Sequence, residues 1–405
     1  MDLTPPQLPG DFPTETALAP STPDLQQSTQ APASDPHLPP QSNSRPRRTF
    51  FGPFGLRAGW SLLIYFLLLG AIIGGLYAIG HQAYLHRTHV AAAAAAKAGK
   101  PAPAPQPLFP KPDPGQPEKM APMIFAEASM FGLLVFVSWL MSRIEQRKLS
   151  SYGLGGAHPL NRFLIGAVWG VVLLSLLILA LHTLHFLTFD SRLDHGRSIL
   201  FWGAAQLIGF LFVGLAEEYT MRGYLQFTLT RGFVSIGNLI APQHARTIAF
   251  WIASVFTSAL FLFAHTHNAG ENWLGLFQVF LAGVVFVVAL WRTGSLWWGI
   301  GFHTTWDWCQ SFLYGVPDSG GLMQGRLFAT HTAGNPLFSG GTVGPEGSVL
   351  CIPVFLLAVA GLFFFTHPSP QPPLELPESQ LPPSAQDLPP SAQHSDLRPP
   401  QPISL

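Results

Sequence analysis

Two adjacent glutamates, Glu217 and Glu218, interrupt an otherwise apolar run from Phe201 to Gly223, where each unpaired carboxylate would cost about 2.5–3.5 kcal/mol to bury in a bilayer. Two further hydrophobic segments carry polar intrusions: His265 closes FLFAH, and His303 stands four residues before Asp307 in HTTWD. Carboxylates and imidazoles inside apolar segments are suited to proton transfer. In EEYTMRG, Glu218 and Arg222 are four residues apart and share a helix face, so they can form an ion pair that neutralises one acid. Glu217 lies about 100° around the helix, on the face of Met221, and is left without a counter-charge. A carboxylate so placed can exchange protons with water, as a general base must. His303 and Asp307 are one turn apart, which lets the carboxylate orient the imidazole or pair with it.

Each feature also has a plainer structural account. The two glutamates could end a helix where both reach interfacial water, and His265 could be a satisfied interface residue. His303 and Asp307 could be a hydrogen-bonded pair joining two helices. His267 and Asn268 follow closely enough to line the same cavity as His265, although a loop is the simpler place for them.

The elements that must position these residues follow from composition. With 48% hydrophobic and only 10% charged residues in 405, the chain is too apolar for an ordinary soluble domain and reads as a membrane protein. Lys plus Arg and Asp plus Glu both total 21, so there is no basic stripe of the kind nucleic acid requires, and no nucleic-acid partner is expected. Cys309 and Cys351 both fall in apolar stretches and read as buried small hydrophobes rather than a disulfide framework or zinc ribbon. Residues 1–48 are rich in Pro, Ser, Thr and Gln and lack an apolar run, so they are expected to be disordered. No removable signal peptide is expected, which makes the first span an uncleaved anchor. The stretch 368–405, with LPPSAQ at Leu381 and again at Leu388, reads as a second disordered, Pro-rich tail.

Between the tails, eight stretches approach the roughly 20 residues that a bilayer requires. They run Gly59 to Ile79, Ala121 to Met141, Phe163 to Leu184, Ile199 to Ala216, Ile248 to Ala264, Trp273 to Trp291, Leu296 to Tyr314 and Val349 to Thr366. The fold expected is all-α, a polytopic membrane helical bundle, because helices satisfy their own backbone in lipid. Trp251, Trp273, Trp291, Trp297 and Trp298 are candidate interfacial aromatics. Arg45, Arg47, Arg48 and Arg57 precede the first span, and Arg143, Arg147 and Lys148 follow the second, so both termini are expected in the cytoplasm. Arg231, Arg246 and Arg292 fall on that same side, and the Pro/Ala-rich loop at 82–119, with AAAAAA, faces outward. The organisation expected is N-terminal helices over 49–200, a catalytic membrane domain over 201–316, and a loop with a last helix over 317–367.

At these residues the chain resembles a family, the CAAX prenyl protease 2 and lysostaphin-resistance-protein-like intramembrane proteases, known as the CPBP or Abi family. EExxxRG stands as Glu217, Glu218, Arg222 and Gly223, FxxxH as Phe261 and His265, and HxxxN or HxxxD as His303 and Asp307. The likeness covers roughly 201–316, and its specificity lies in the ordered set of three motifs. It implies hydrolysis of a peptide bond in a membrane-associated protein or peptide, in a bilayer and in a bacterial cell membrane. Glu217 and His265 would activate water, and His303 with Asp307 would stabilise the oxyanion, with Glu218 and Arg222 completing the site. An ionised Asp cannot donate to an oxyanion, so Asp307 is expected to orient or protonate His303. Glu217, His265 and His303 could also supply three ligands to zinc and leave a position for water, yet no HExxH helix makes zinc the default. A metal-free Glu and His mechanism is the alternative. Two other functions compete: an inactive relative with a scaffold or bacteriocin-immunity role, and a proton-coupled transporter. The three complete motifs speak against the first, and the absence of matching broken helices in two halves speaks against the second. Strict alternation of spans would hold Glu217 and His265 apart, so the fourth helix is expected to run on through Tyr224 and Leu229.

Overall fold

A computed structural model describes residues 49–366 apart from 53, 102, 103, 105–115 and 269. The two tails for which composition predicts disorder lie outside the described residues. Nine helices organise the rest: α1 (Ala58–Lys97), α2 (Met120–Glu145), α3 (Pro159–Thr183), α4 (Arg197–Glu218), α5 (Gln226–Ile240), α6 (Ala245–Ala264), α7 (Trp273–Thr293), α8 (Trp297–Trp308) and α9 (Cys351–Phe365). A single helical turn at Pro336–Ser339 lies between the last two. Large apolar side chains exposed along α1 to α4, among them Leu67, Phe125, Val168 and Leu200, suit a surface that faces lipid.

Six of these segments, rather than eight, are long and apolar enough to cross a membrane among the described residues. The seventh expected span is the 12-residue α8 extended by a π-helical turn, Cys309–Leu313, and the eighth is the 15-residue α9. At about 1.5 Å per residue they rise roughly 25 and 22 Å, short of the ~30 Å hydrocarbon layer. Nearly every residue of α8 is buried against other helices. The first span departs in the other direction: α1 continues to Lys97, so the alanine run is helical and the expected loop at 82–119 starts late. Alanine is the best helix former, which explains the extension.

Small residues let α8 sit at the centre. A Cβ on Gly166 of α3 would lie 2.0 Å from the Trp298 carbonyl oxygen, and one on Gly301 of α8 would lie 2.1 Å from that of Phe163, so the two backbones touch. On its other side, Gly214 brings α4 to the Ile300 oxygen and the His303 Cβ, at 3.4 and 3.5 Å from where a Cβ would stand. Trp298 stacks on Phe302 at 5.3 Å, Phe302 on Trp306 at 5.5 Å and Trp306 on Phe355 at 5.4 Å. Trp298 is therefore a core residue and not an interfacial one, whereas Trp273 is exposed. Cys309 and Cys351 are free and buried, as expected.

Outside the bundle, β1 (Phe51–Gly52) pairs with β2 (Gly55–Leu56), and β3 (Leu187–Arg192) pairs antiparallel with β4 (Phe328–Thr332). A buried ion cluster ties the first helices to α5. Glu145 lies 3.4 Å from Arg147 Nε and 3.2 Å from Arg231 Nη1, and accepts from the Tyr224 hydroxyl at 3.0 Å. Arg231 also donates to Ser61 Oγ of α1 at 3.0 Å. Two arginines counted above as topological anchors thus serve as internal ion partners.

Candidate active site

The glutamate pair closes α4, and the chain then runs through a π-helical turn, Tyr219–Leu225, into α5. The helix does continue past Tyr224 and Leu229, as expected, giving one run from Arg197 to Ile240 with Glu217 near its midpoint. A straight 44-residue run would rise roughly 66 Å, about twice the hydrocarbon thickness. Gly223, with φ −85° and ψ −105°, is the kink at which it departs from helical geometry. A Cβ there would meet the Tyr152 carbonyl oxygen at 2.9 Å.

The antiparallel packing of α5 and α6 brings His265 to the right level. Arg222 lies 4.3 Å from the Phe261 ring centroid, and Gln226 accepts from Thr257 Oγ1 at 2.8 Å. His265 follows Phe261 by one turn at the end of α6 and lines the same cavity as Glu217. The separation that strict alternation of spans would impose on Glu217 and His265 is thereby removed.

His303 is the centre of the site. Its Nδ1 faces Glu218 Oε1 at 3.3 Å, and its Nε2 faces Asp307 Oδ2 at 3.5 Å and Glu217 Oε2 at 3.6 Å. The ring stacks on Phe286 with centroids 5.1 Å apart and meets Phe261 edge-on at 6.3 Å, which fixes its plane. Glu218 is buried and paired with Arg222 Nη1 at 3.0 Å, as the spacing predicts. Glu217 differs from expectation: it is not left alone, because His303 shares its surroundings, and about a third of its side chain is exposed. It looks into a cavity of about 320 Å³ that His265, His303 and Asp307 also line. His265 makes its hydrogen bond through Nδ1 to the Phe261 carbonyl oxygen at 2.8 Å. A carbonyl only accepts, so Nδ1 carries the proton and Nε2 keeps a lone pair. Asn268 lines the cavity, while His267 is exposed in the loop beside Thr266.

Glu217, His265 and His303 do not converge within 4.8 Å as a three-residue group among the described residues. His303 directs both ring nitrogens at carboxylates. The group of acids, imidazoles and thiols that converges within 4.8 Å among the described residues is instead Asp307, Asp318 and Glu346. Sequence reasoning missed the last two, and also Gln278, Glu118 and Glu127 on the cavity wall. A lone acid in GVPDSGG or VGPEG carries no mark to separate it from a solvated loop residue. Burial, followed by the neighbouring charges of Glu346 and Glu217, pushes the Asp318 carboxyl well above the usual carboxylate range.

Apolar helices that enclose a cavity and line it with carboxylates and imidazoles mark an integral membrane protein with a buried cluster of titratable groups. Residues 199–309 match the family described as "Rce1-like: Type II CAAX prenyl endopeptidase Rce1-like", a peptidase family, consistent with the CPBP resemblance. Glu217, Glu218, Arg222, His265, His303 and Asp307 all fall inside the matched segment, which is about a quarter of the chain. No curated protein and no solved structure matches the chain.

Proposed function

We propose that the chain is an intramembrane endopeptidase in which Glu217 activates water to hydrolyse a peptide bond of a membrane-associated protein or peptide. The observation that carries this reading is the His303 imidazole held between Glu218 and the Glu217 and Asp307 carboxylates, on the wall of a helix-enclosed cavity that also holds His265.

Proton bookkeeping assigns the roles. Glu218, ionised against Arg222, accepts only, so His303 donates to it through Nδ1. Glu217 takes a proton from water, and the His265 Nε2 lone pair accepts a hydrogen bond from the same water and aims it. The hydroxide attacks the carbonyl carbon of the peptide. The developing oxyanion is met by His303 Nε2–H, which Asp307 orients. Glu217 then returns its proton to the leaving nitrogen, the C–N bond breaks, and a carboxylic acid and an amine form, the acid's proton passing to the amine to give a carboxylate and an ammonium. Glu218 and Arg222 position His303 and do not touch the substrate.

The test is comparison of peptides released in proteoliposomes by the wild type and by Glu217→Gln. The amide keeps the shape but cannot take the water's proton, so release is expected to stop while thermal unfolding stays unchanged. Undiminished release by a folded Glu217→Gln protein would overturn the assignment.

A further inference from the structure

The cavity holds more carboxyl groups than peptide hydrolysis uses. Glu118, Glu127, Glu217, Asp307, Asp318 and Glu346 line it, and among the described residues no lysine or arginine does. Three of these acids converge from separate elements: Asp307 from α8, Asp318 from the loop after the π-helical turn, and Glu346 from the 3-10 turn Pro345–Gly347. One oxygen from each lies within 4.8 Å of the other two.

Their orientations are set by neutral donors. Glu346 accepts from Trp306 Nε1 at 2.9 Å and from the Ser319 amide and hydroxyl at 3.3 Å, and Asp318 Oδ2 accepts from Ser311 Oγ at 3.4 Å. A ring of neutral donors around clustered carboxylates is the arrangement that outer-shell partners give to metal ligands.

Gln278 supplies an independent sign. Its side chain is 1% exposed and lines the same cavity. Nε2 donates to the Ser348 carbonyl oxygen at 2.9 Å, two residues from Glu346. Since that partner can only accept, the amide cannot be flipped, and Oε1 is left buried with no donor from the protein. That buried carbonyl oxygen lacks a positive partner, and the wall of the cavity it shares with the three acids offers no cationic side chain but the two histidines.

We propose that Asp307, Asp318, Glu346 and the Gln278 carbonyl oxygen form a binding site for a hard divalent cation of the Mg²⁺, Ca²⁺ or Mn²⁺ class. Every donor is oxygen, with no thiolate or imidazole, which selects this class over zinc. The cation joins α8, the loop at Asp318, the turn at Glu346 and α7 at one point. Asp307 also faces His303, so the cation lessens the negative charge beside the reacting bond. That effect rests on the proteolytic reading, whereas the site itself does not.

The experiment is Mn²⁺ binding to full-length protein in detergent after chelator treatment, followed by the loss of the free-ion EPR signal. Wild type is expected to take up a single Mn²⁺ that Mg²⁺ or Ca²⁺ displaces, and to unfold at a higher temperature with it. Asp318→Asn and Glu346→Gln should each weaken uptake by about tenfold or more and abolish the thermal shift. Gln278→Met, which keeps volume and removes the carbonyl, should weaken uptake; it gives up only the single hydrogen bond to the Ser348 carbonyl, so it serves if the acid variants fail to fold. Glu217→Gln, whose carboxylate is outside the set, should keep the ion even when it releases no peptide. Absence of stoichiometric Mn²⁺ in wild type, or uptake undiminished in folded Glu346→Gln and Gln278→Met, overturns the site.

Discussion

Arg222→Met should cost the protein more stability than any surface change. The Arg222 and Glu218 side chains are 0% and 1% exposed, with Nη1 and Oε1 3.0 Å apart. Removing the guanidinium leaves Glu218 with His303 Nδ1 at 3.3 Å as its remaining partner. Stranding one member of a buried pair costs about 3–5 kcal/mol. The guanidinium also lies over the rings of Phe261 and Phe286 at 4.3 and 5.1 Å, but the Met sulfur takes over part of that contact, so no separate amount is added. At about 2–4 °C per kcal/mol for a domain of 150–250 residues, the unfolding temperature should fall by on the order of 6–20 °C. A thiol-reactive fluorogenic dye measures this directly, because the two cysteines are both buried and react only as the bundle opens. The pair is not fully satisfied, since Arg222 Nε and Nη2 have no hydrogen-bond partner. The double replacement Arg222→Met with Glu218→Leu should therefore regain most of the lost stability. It should not regain activity, because His303 loses the acceptor at Nδ1. An Arg222→Met protein that unfolds within about 2–4 °C of wild type, a change worth about 1 kcal/mol, would refute the reasoning.

Other perturbations separate fold from site. Glu145→Gln leaves Arg147 and Arg231 facing a neutral amide and should destabilise by about 3–5 kcal/mol in the same dye assay; since Glu145 does not line the cavity, the folded fraction should keep its specific activity. Gly301→Ala forces a Cβ to within 2.1 Å of the Phe163 oxygen, costing about 1–3 kcal/mol, and it should lower peptide release more than stability because His303 is two residues on. Gly132→Ala, with nothing within 4 Å of the new Cβ, is the neutral control. Removing residues 1–42 and 368–405 should leave activity per molecule nearly unchanged, by composition. The positive-inside count predicts cytoplasmic termini, so a cysteine at Pro101 should be labelled from the outer side only; labelling from the cytoplasmic side alone would invert that topology.

Composition alone pointed to a membrane, since so apolar and charge-poor a sequence is unlike an ordinary soluble domain. Spacing alone paired Glu218 with Arg222 and His303 with Asp307, and both pairs are found. Residues four apart on a helix meet whatever the rest of the chain does. Contacts between distant segments were not legible in this way. His303 meets Glu218 across 85 positions because Gly214 lets α4 approach α8, and it meets Glu217 for the same reason, where local spacing left that acid alone. Hydropathy marked eight apolar stretches, and six of them fold into helices long enough to cross a bilayer among the described residues, because helix length is set by where turns and loops break the chain. Arg147 and Arg231 read as solvent-facing anchors until folding brought Glu145 between them. Asp318, Glu346 and Gln278 gave no local signal, since a polar residue's partners depend on which loops and helices the bundle brings together. Sequence determined which groups could do chemistry and which neighbours share a turn; tertiary structure decided which of them share a cavity, because that depends on where helices cross and where a missing Cβ lets them touch.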